Sequence, residues 1–297
     1  RPGRIVDVDG RCLLPEAPLG RCWDNLRRAW GPGARKLPGG PRLRLTLRLV
    51  VGGVVLAVEP EGAERSRARS GSAPLDPGSP EELVEEVREL TAIWWTPAGG
   101  EPELLAGDPA GREAWRGREV CTRARAFLQV NRAGATILHQ AVLPALGNPH
   151  GRRYLDAYCG VGTWGRDIAR AGGTAVGIER DPAAVAAARE DAPGGFTVLE
   201  GSVEERLEEA LPADVAVLNP PRSGLEASVP ARLRTSGVER LVYVSCDPAT
   251  LARDLGRLGG AYRITALEAF DLFPQTAHVE VLAVLDRSPE SSSCATT

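Results

Sequence analysis

Between Arg132 and Asp286 the chain alternates short apolar runs with amphipathic stretches. Strands are predicted at Tyr154–Tyr158, Thr174–Ile178, Thr197–Leu199, Val215–Leu218 and Leu241–Val244, with helices between them. That alternation is the pattern of a parallel sheet with crossover helices. The last two strand candidates, Tyr262–Phe270 and His278–Asp286, leave no room for a helix and are expected to pair antiparallel. The prediction is an α/β, doubly wound sheet ending in an antiparallel hairpin. Earlier in the chain, Leu19, Trp23, Leu26 and Trp30 recur at helical spacing. Leu43, Leu45, Leu47 and Leu49 alternate with Arg42, Arg44, Thr46 and Arg48 as in a half-buried strand, and Val54–Val58 reads as its hairpin partner. Residues 64–80, rich in Arg, Ser, Gly and Pro, read as a linker, and Glu81–Leu90 as a short helix with a solvated acidic face. Hairpins are expected between Thr91 and Phe127. The predicted division is a smaller mixed α/β domain over 1–126, a larger domain over 127–287 and a disordered tail over 288–297.

Composition narrows the class. The chain has 297 residues, 43% hydrophobic and 25% charged, enough to bury a substantial core in about two domains. No stretch approaches the roughly 20 apolar residues of a membrane span, and no signal peptide opens the chain. No membrane association and a cytoplasmic location are therefore expected. The cysteines Cys12, Cys22, Cys121, Cys159, Cys246 and Cys294 show no paired spacing, which favours reduced thiols with individual roles. The chain contains no methionine, so Arg1 is expected to be an interior residue of a longer protein. Residues 1–50 hold eleven Arg or Lys against four Asp or Glu, although the whole chain carries −3. Only Lys36 is a lysine. The Arg-rich segment suits an RNA backbone, or reflects arginine standing wherever lysine would serve.

The segment Leu155-Asp156-Ala157-Tyr158-Cys159-Gly160-Val161-Gly162-Thr163 puts a carboxylate near the end of a strand and glycines in the turn that opens a helix. Such a crevice binds nucleotides in open α/β sheets. Glu179, ending the next strand, suits the two hydroxyls of a ribose. The turn lacks the third glycine of a dinucleotide fingerprint and the Gly-Lys-Ser/Thr ending of a phosphate loop, so a pyrophosphate ligand is disfavoured. S-adenosylmethionine fits, with its ammonium group near Asp156. The candidate cofactor residues are Asp156, Tyr158, Gly160, Gly162 and Glu179; the glycines alternatively serve tight helix-on-strand packing, and Cys159 reads as a small buried residue.

Five ordered segments carry a resemblance: Phe127-Leu128-Gln129-Val130-Asn131, the Asp156–Thr163 turn, Asn219-Pro220-Pro221-Arg222-Ser223-Gly224, Val244-Ser245-Cys246-Asp247-Pro248-Ala249-Thr250 continuing to Asp254, and Asp271–Glu280. Together they resemble the S-adenosylmethionine-dependent RNA uracil-5 methyltransferases, whose class I methyltransferase domain is Rossmann-like. The N-terminal third resembles them only weakly. The resemblance assigns the nucleophile to Cys246 and the base to Glu280. It implies cofactor or base contacts for Gln129 and Asn219, and substrate contacts for Asn219, Arg222 and His278. Uracil C5 becomes nucleophilic once a thiolate adds at C6, and a base then removes the C5 proton. Helix N-terminal amides after Pro248 are expected to lower the Cys246 pKa. His278 and Glu280 are expected on one face of a strand. Asn219 departs from the Asp of many members, and Ser202 from the acidic or amide residue that often meets adenine.

Relatives commonly add a small RNA-binding barrel, and several hold a four-iron cluster. Cys12 resembles its last ligand, so an iron–sulfur site is expected only in a longer chain. The implied partner is RNA, with ribosomal favoured over transfer RNA by the Asn-Pro-Pro-Arg and Ala-His-Val-Glu variants; no protein partner is evident. Two other readings remain. An exocyclic-nitrogen methyltransferase also uses Asn-Pro-Pro, but an aromatic residue usually follows where Arg222 stands. A catalytically inactive RNA-binding protein would have no need of Cys246 or Glu280.

Overall fold

The computed structural model describes residues 15–38, 42–61, 79–109, 112–115, 118–121, 131–273 and 276–289. Gln129, Cys12, nearly all of the 64–80 linker and residues 290–297 of the tail lie outside the described residues. The chain divides into two compact units, Arg1–Arg125 and Ala126–Thr297.

In the first unit, α1 (Ala17–Ala29) places Cys22 and Leu26 against a four-stranded sheet ordered β1 (Leu43–Val50), β2 (Gly53–Pro60), β3 (Leu90–Trp95) and β4 (Glu103–Gly107). The β1–β2 hairpin expected from the leucine alternation is present, with Leu47 opposite Leu56. The helix α2 (Ser79–Glu86) starts two residues before the predicted Glu81, and Leu90 opens β3 instead of ending the helix. Because α2 is a crossover, β3 runs parallel to β2. Lys36 bonds Glu86 at 2.7 Å and Glu82 at 3.1 Å, tying the acidic helix face down. A separate hairpin pairs β5 (Arg112–Trp115) with β6 (Arg118–Cys121).

The second unit is the expected doubly wound sheet. Its strands are β7 (Arg153–Ala157), β8 (Thr174–Glu179), β9 (Phe196–Glu200), β10 (Val215–Leu218), β11 (Arg240–Ser245), β12 (Tyr262–Phe270) and β13 (Glu280–Arg287), in the order β12-β13-β11-β10-β7-β8-β9. The four residues of β10 are all buried and apolar, as befits a central strand covered on both faces. One face packs Leu207, Leu233 and Leu251, the other Leu138, Val142 and Ile168. The helices here are α3 (Arg132–Ala145), α4 (Thr163–Arg170), α5 (Pro182–Arg189), α6 (Val203–Ala210), α7 (Ser228–Thr235) and α8 (Pro248–Leu258).

Two features of this topology place chemistry at one sheet edge. The chain runs outward from β7 through β8 to β9, then returns to the other flank of β7 as β10, which opens a crevice at the C-terminal ends of β7 and β10. The last strand, β13, inserts antiparallel between β11 and β12, with Val281 opposite Ser245. Its first residue therefore arrives beside the end of β11. The strand begins at Glu280, not at His278, so the expectation that both share a strand face fails: His278 is exposed in the preceding loop, its ring edge-on to Phe273.

Candidate active site

The turn after β7 is built around two carboxylates. Asp156 is fully buried; its Oδ2 accepts from Gly165 N–H at 2.9 Å, while Oδ1 has no hydrogen-bond partner. Burial, with Glu179 nearby, pushes its pKa up to about 7. Half-buried Glu179 accepts from Gly160 N–H at 3.0 Å through Oε2, and from the amides of Arg180 and Asp181 at 2.8 Å each through Oε1. Three amides thus fix this carboxylate against the glycine turn.

The two turn glycines differ. Gly160, at φ +55°, has open space where a side chain would project, so a ligand can approach its backbone. Gly162, at φ +77°, begins α4, and a methyl group there would come within 2.5 Å of the Phe196 ring. Gly162 therefore serves helix-on-strand packing, the alternative reading of these glycines. Tyr158 has φ +60°, and its ring packs against the core formed by Leu225, Tyr243 and Leu251, so its backbone is the part left in the turn. Cys159 is buried, and burial raises its thiol pKa well above the ordinary value. Ser202 is engaged locally: it caps α6 in a capping box, its N–H donating to Glu205 Oε2 at 3.2 Å.

The second cluster lies at the ends of β10, β11 and β13. Cys246 is half-buried in the corner between β11 and α8, and Glu280 is buried. Asn219 and Arg222 are exposed on the loop after β10, and Asn219 N–H donates to Ala157 O at 3.3 Å, bridging to β7. The thiol pKa is raised, first by burial and next by the Glu280 charge; the Arg222 guanidinium opposes this through its charge and a hydrogen bond to the sulfur. This corrects the expectation of a thiol acidified by α8. The first free amides of that helix, on Ala249 and Thr250, donate to the Asp247 carboxylate at 2.9 and 3.0 Å. Its capping consumes the amides that would otherwise face sulfur. Ser245 Oγ bonds both the N–H and the carbonyl of Asp247, closing the corner around Cys246.

Asn131 anchors the neighbouring segment. It caps α3 by accepting from Gly134 N–H at 2.9 Å, and its Nδ2 donates to Leu272 O at 3.1 Å. Sequence reasoning assigned no role to Asn131, Ser245 or Asp254, although all three fall inside the quoted motifs. Among the described residues, no group of three or more His, Cys, Asp or Glu side chains is placed to hold a metal.

Residues 204–288, which contain Asn219, Arg222, Cys246 and Glu280, match the family model described as tRNA (Uracil-5-)-methyltransferase. The match is confined to this part of the chain. An uncharacterized RNA methyltransferase from Streptomyces coelicolor is 37% identical over 77% of this chain and 52% of its own length. Another from a Nostoc species is 39% identical over 63% of this chain and 42% of its own. The chain thus spans about half the length of these relatives. Among solved structures, the Pyrococcus abyssi tRNA (uracil-54, C5)-methyltransferase in complex with S-adenosyl-L-homocysteine superposes with a TM-score of 0.69 at 24% identity, covering 95% of this chain and 70% of that one. That likeness shows the fold. Within the matched segment, the thiol, the carboxylate and the guanidinium meet at one sheet edge.

Proposed function

We propose that the protein transfers a methyl group from S-adenosylmethionine to C5 of a uridine in structured RNA, through a covalent bond between Cys246 and uracil C6. The observation that carries this reading is the antiparallel register of β13 on β11, Val281 opposite Ser245, which sets Glu280 beside the Cys246 thiol. The cofactor supplies an electrophilic methyl group when bound. The residues present fit it: the unpartnered Asp156 Oδ1 suits its ammonium group, the open backbone at Gly160 admits its approach, and the tethered Glu179 suits its ribose.

The chain's own groups divide the work. Arg222 favours the thiolate, which adds to C6 and leaves negative charge on the C5–C4–O4 system. Asn219, exposed at the end of β10, is positioned to donate to or accept from the uracil edge. After methylation, Glu280 removes the C5 proton, and the electron pair of that C–H bond expels the Cys246 sulfur from C6. Burial of Glu280 keeps water from competing for this base. Gln129 and His278 complete the proposed contacts to cofactor and substrate.

The test is to incubate the full chain and S-adenosylmethionine with ribosomal and transfer RNA containing 5-fluorouridine. Fluorine cannot leave as the proton does, so an adduct that survives denaturation and requires Cys246 is expected. The sequence favours the ribosomal arm. No adduct with either RNA, despite cofactor binding, sinks the proposal.

A further inference from the structure

We infer that Asp254, a buried residue of α8, is a positioning residue that clamps the Asn219–Leu225 loop onto the corner bearing Cys246, and so holds Arg222 facing the thiol. The inference rests on the reading of Cys246 as the nucleophile. Asp254 is fully buried, and its two oxygens serve three separate pieces of chain. Oδ2 accepts from Leu225 N–H at 2.7 Å, at the end of the loop, and from the Tyr243 hydroxyl at 2.9 Å, on the strand that leads into Cys246. Oδ1 accepts from Arg253 Nε at 2.9 Å and Nη2 at 2.8 Å, and from Arg257 at 3.2 Å. Those arginines reach back to the same loop. Arg253 Nη2 donates to Ser223 O at 2.7 Å, and Arg257 Nη1 to Leu225 O at 3.0 Å.

Gly224 makes the clamp possible. Its φ is +74°, and a methyl group there would come within 2.4 Å of Asp254 Oδ2. The loop is therefore shaped to lie on this carboxylate, and Arg222 stands two residues before the contact. The charged groups acting on the thiol are Glu280 from β13 and Arg222 from the loop. Those around Asp254 are Arg253 and Arg257 of its own helix, with the Tyr243 and Tyr158 hydroxyls facing it from β11 and the β7 turn. If the clamp is released, Arg222 withdraws while Glu280 stays, and the thiolate is disfavoured.

Alkylation of Cys246 by iodoacetamide in the full chain reads this directly, without RNA or cofactor, when followed across the neutral-to-alkaline range by peptide mass spectrometry. Asp254→Asn and Arg222→Gln are each expected to move the profile to higher pH, with about a tenfold fall in rate near neutrality for each unit of pKa. The double variant should fall no further than Arg222→Gln alone. Should Asp254→Asn fail to fold, Arg253→Gln decides, because that side chain is 40% exposed and its loss breaks the bond to Ser223. Variants that melt earlier yet keep the wild-type profile, or a double variant whose losses multiply, overturn the inference. A shifted profile alongside failed 5-fluorouridine trapping would leave the clamp standing and remove the methylation reading.

Discussion

The turn after β7 and the turn after β11 are built alike and behave differently. Each leaves a central strand, carries a cysteine and opens a helix. Cys159 is buried under its own turn, with Gly177 closely packed on its sulfur, and its thiol is driven far from ionisation. Cys246 is half-buried and meets a guanidinium from one neighbouring strand end and a carboxylate from the other. Position after a strand does not set a cysteine's surroundings; the loops converging on it do. The first turn carries instead Asp156 and Glu179, the carboxylates proposed to hold the cofactor.

The strongest way to break this contrast is to exchange the two cysteines for alanine. Cys246→Ala is expected to lower methyl transfer by at least roughly a thousandfold, measured as tritium incorporated into RNA. Cys159→Ala should retain turnover and cost about 1 kcal/mol of stability in thermal melts. Equal losses from both would erase the distinction. Glu280→Gln sharpens it: turnover should fall roughly a hundredfold or more, while an adduct with ordinary uridine RNA accumulates on denaturing gels, since the thiol can add but cannot be expelled.

A smaller effect of pH is expected at the first turn. The Asp156 pKa is raised from its usual 3.8 to about 7, so the folded chain holds this proton more tightly than the unfolded chain does. Its stabilising contribution is complete below 3.8 and is lost as pH rises through about 7. Cationic ligands need the carboxylate. S-adenosylhomocysteine binding, followed by calorimetry, should tighten up to about tenfold per pH unit below this value and level off above it. Asp156→Asn should flatten that dependence. Smallest is the glycine pair: Gly162→Ala should cost about 2–3 kcal/mol of stability through Phe196 and backbone strain, and Gly160→Ala about 1 kcal/mol. Melting curves of both variants test the order.

The parallel strands were legible because buried strands read as apolar runs, and Val215–Leu218 matches β10 residue for residue. Cys246 and Glu280 were singled out by their motifs, and the fold brings the two side by side. What local sequence could not reveal depends on partners far along the chain. The Cys246 pKa follows burial, Glu280 and Arg222, and both charged groups lie far from it along the chain. The parallel pairing of β3 with β2 depends on α2 crossing over. Asp254 reads as an ordinary helix acid until the fold brings Leu225 and Tyr243 to it. A buried acid on an amphipathic helix between two arginines is a signal that could have been pursued.

The insertion of β13 between β11 and β12 also sets a timetable. A ribosome delivers the Asp156 turn, the Arg222 loop and Cys246 while the slot beside β11 is still open. Glu280, the proposed base, enters only when the segment that begins there pairs into that slot. A chain synthesised only as far as Cys246 would therefore carry the proposed nucleophile without the proposed base, and the pair is complete only once β13 has paired with β11.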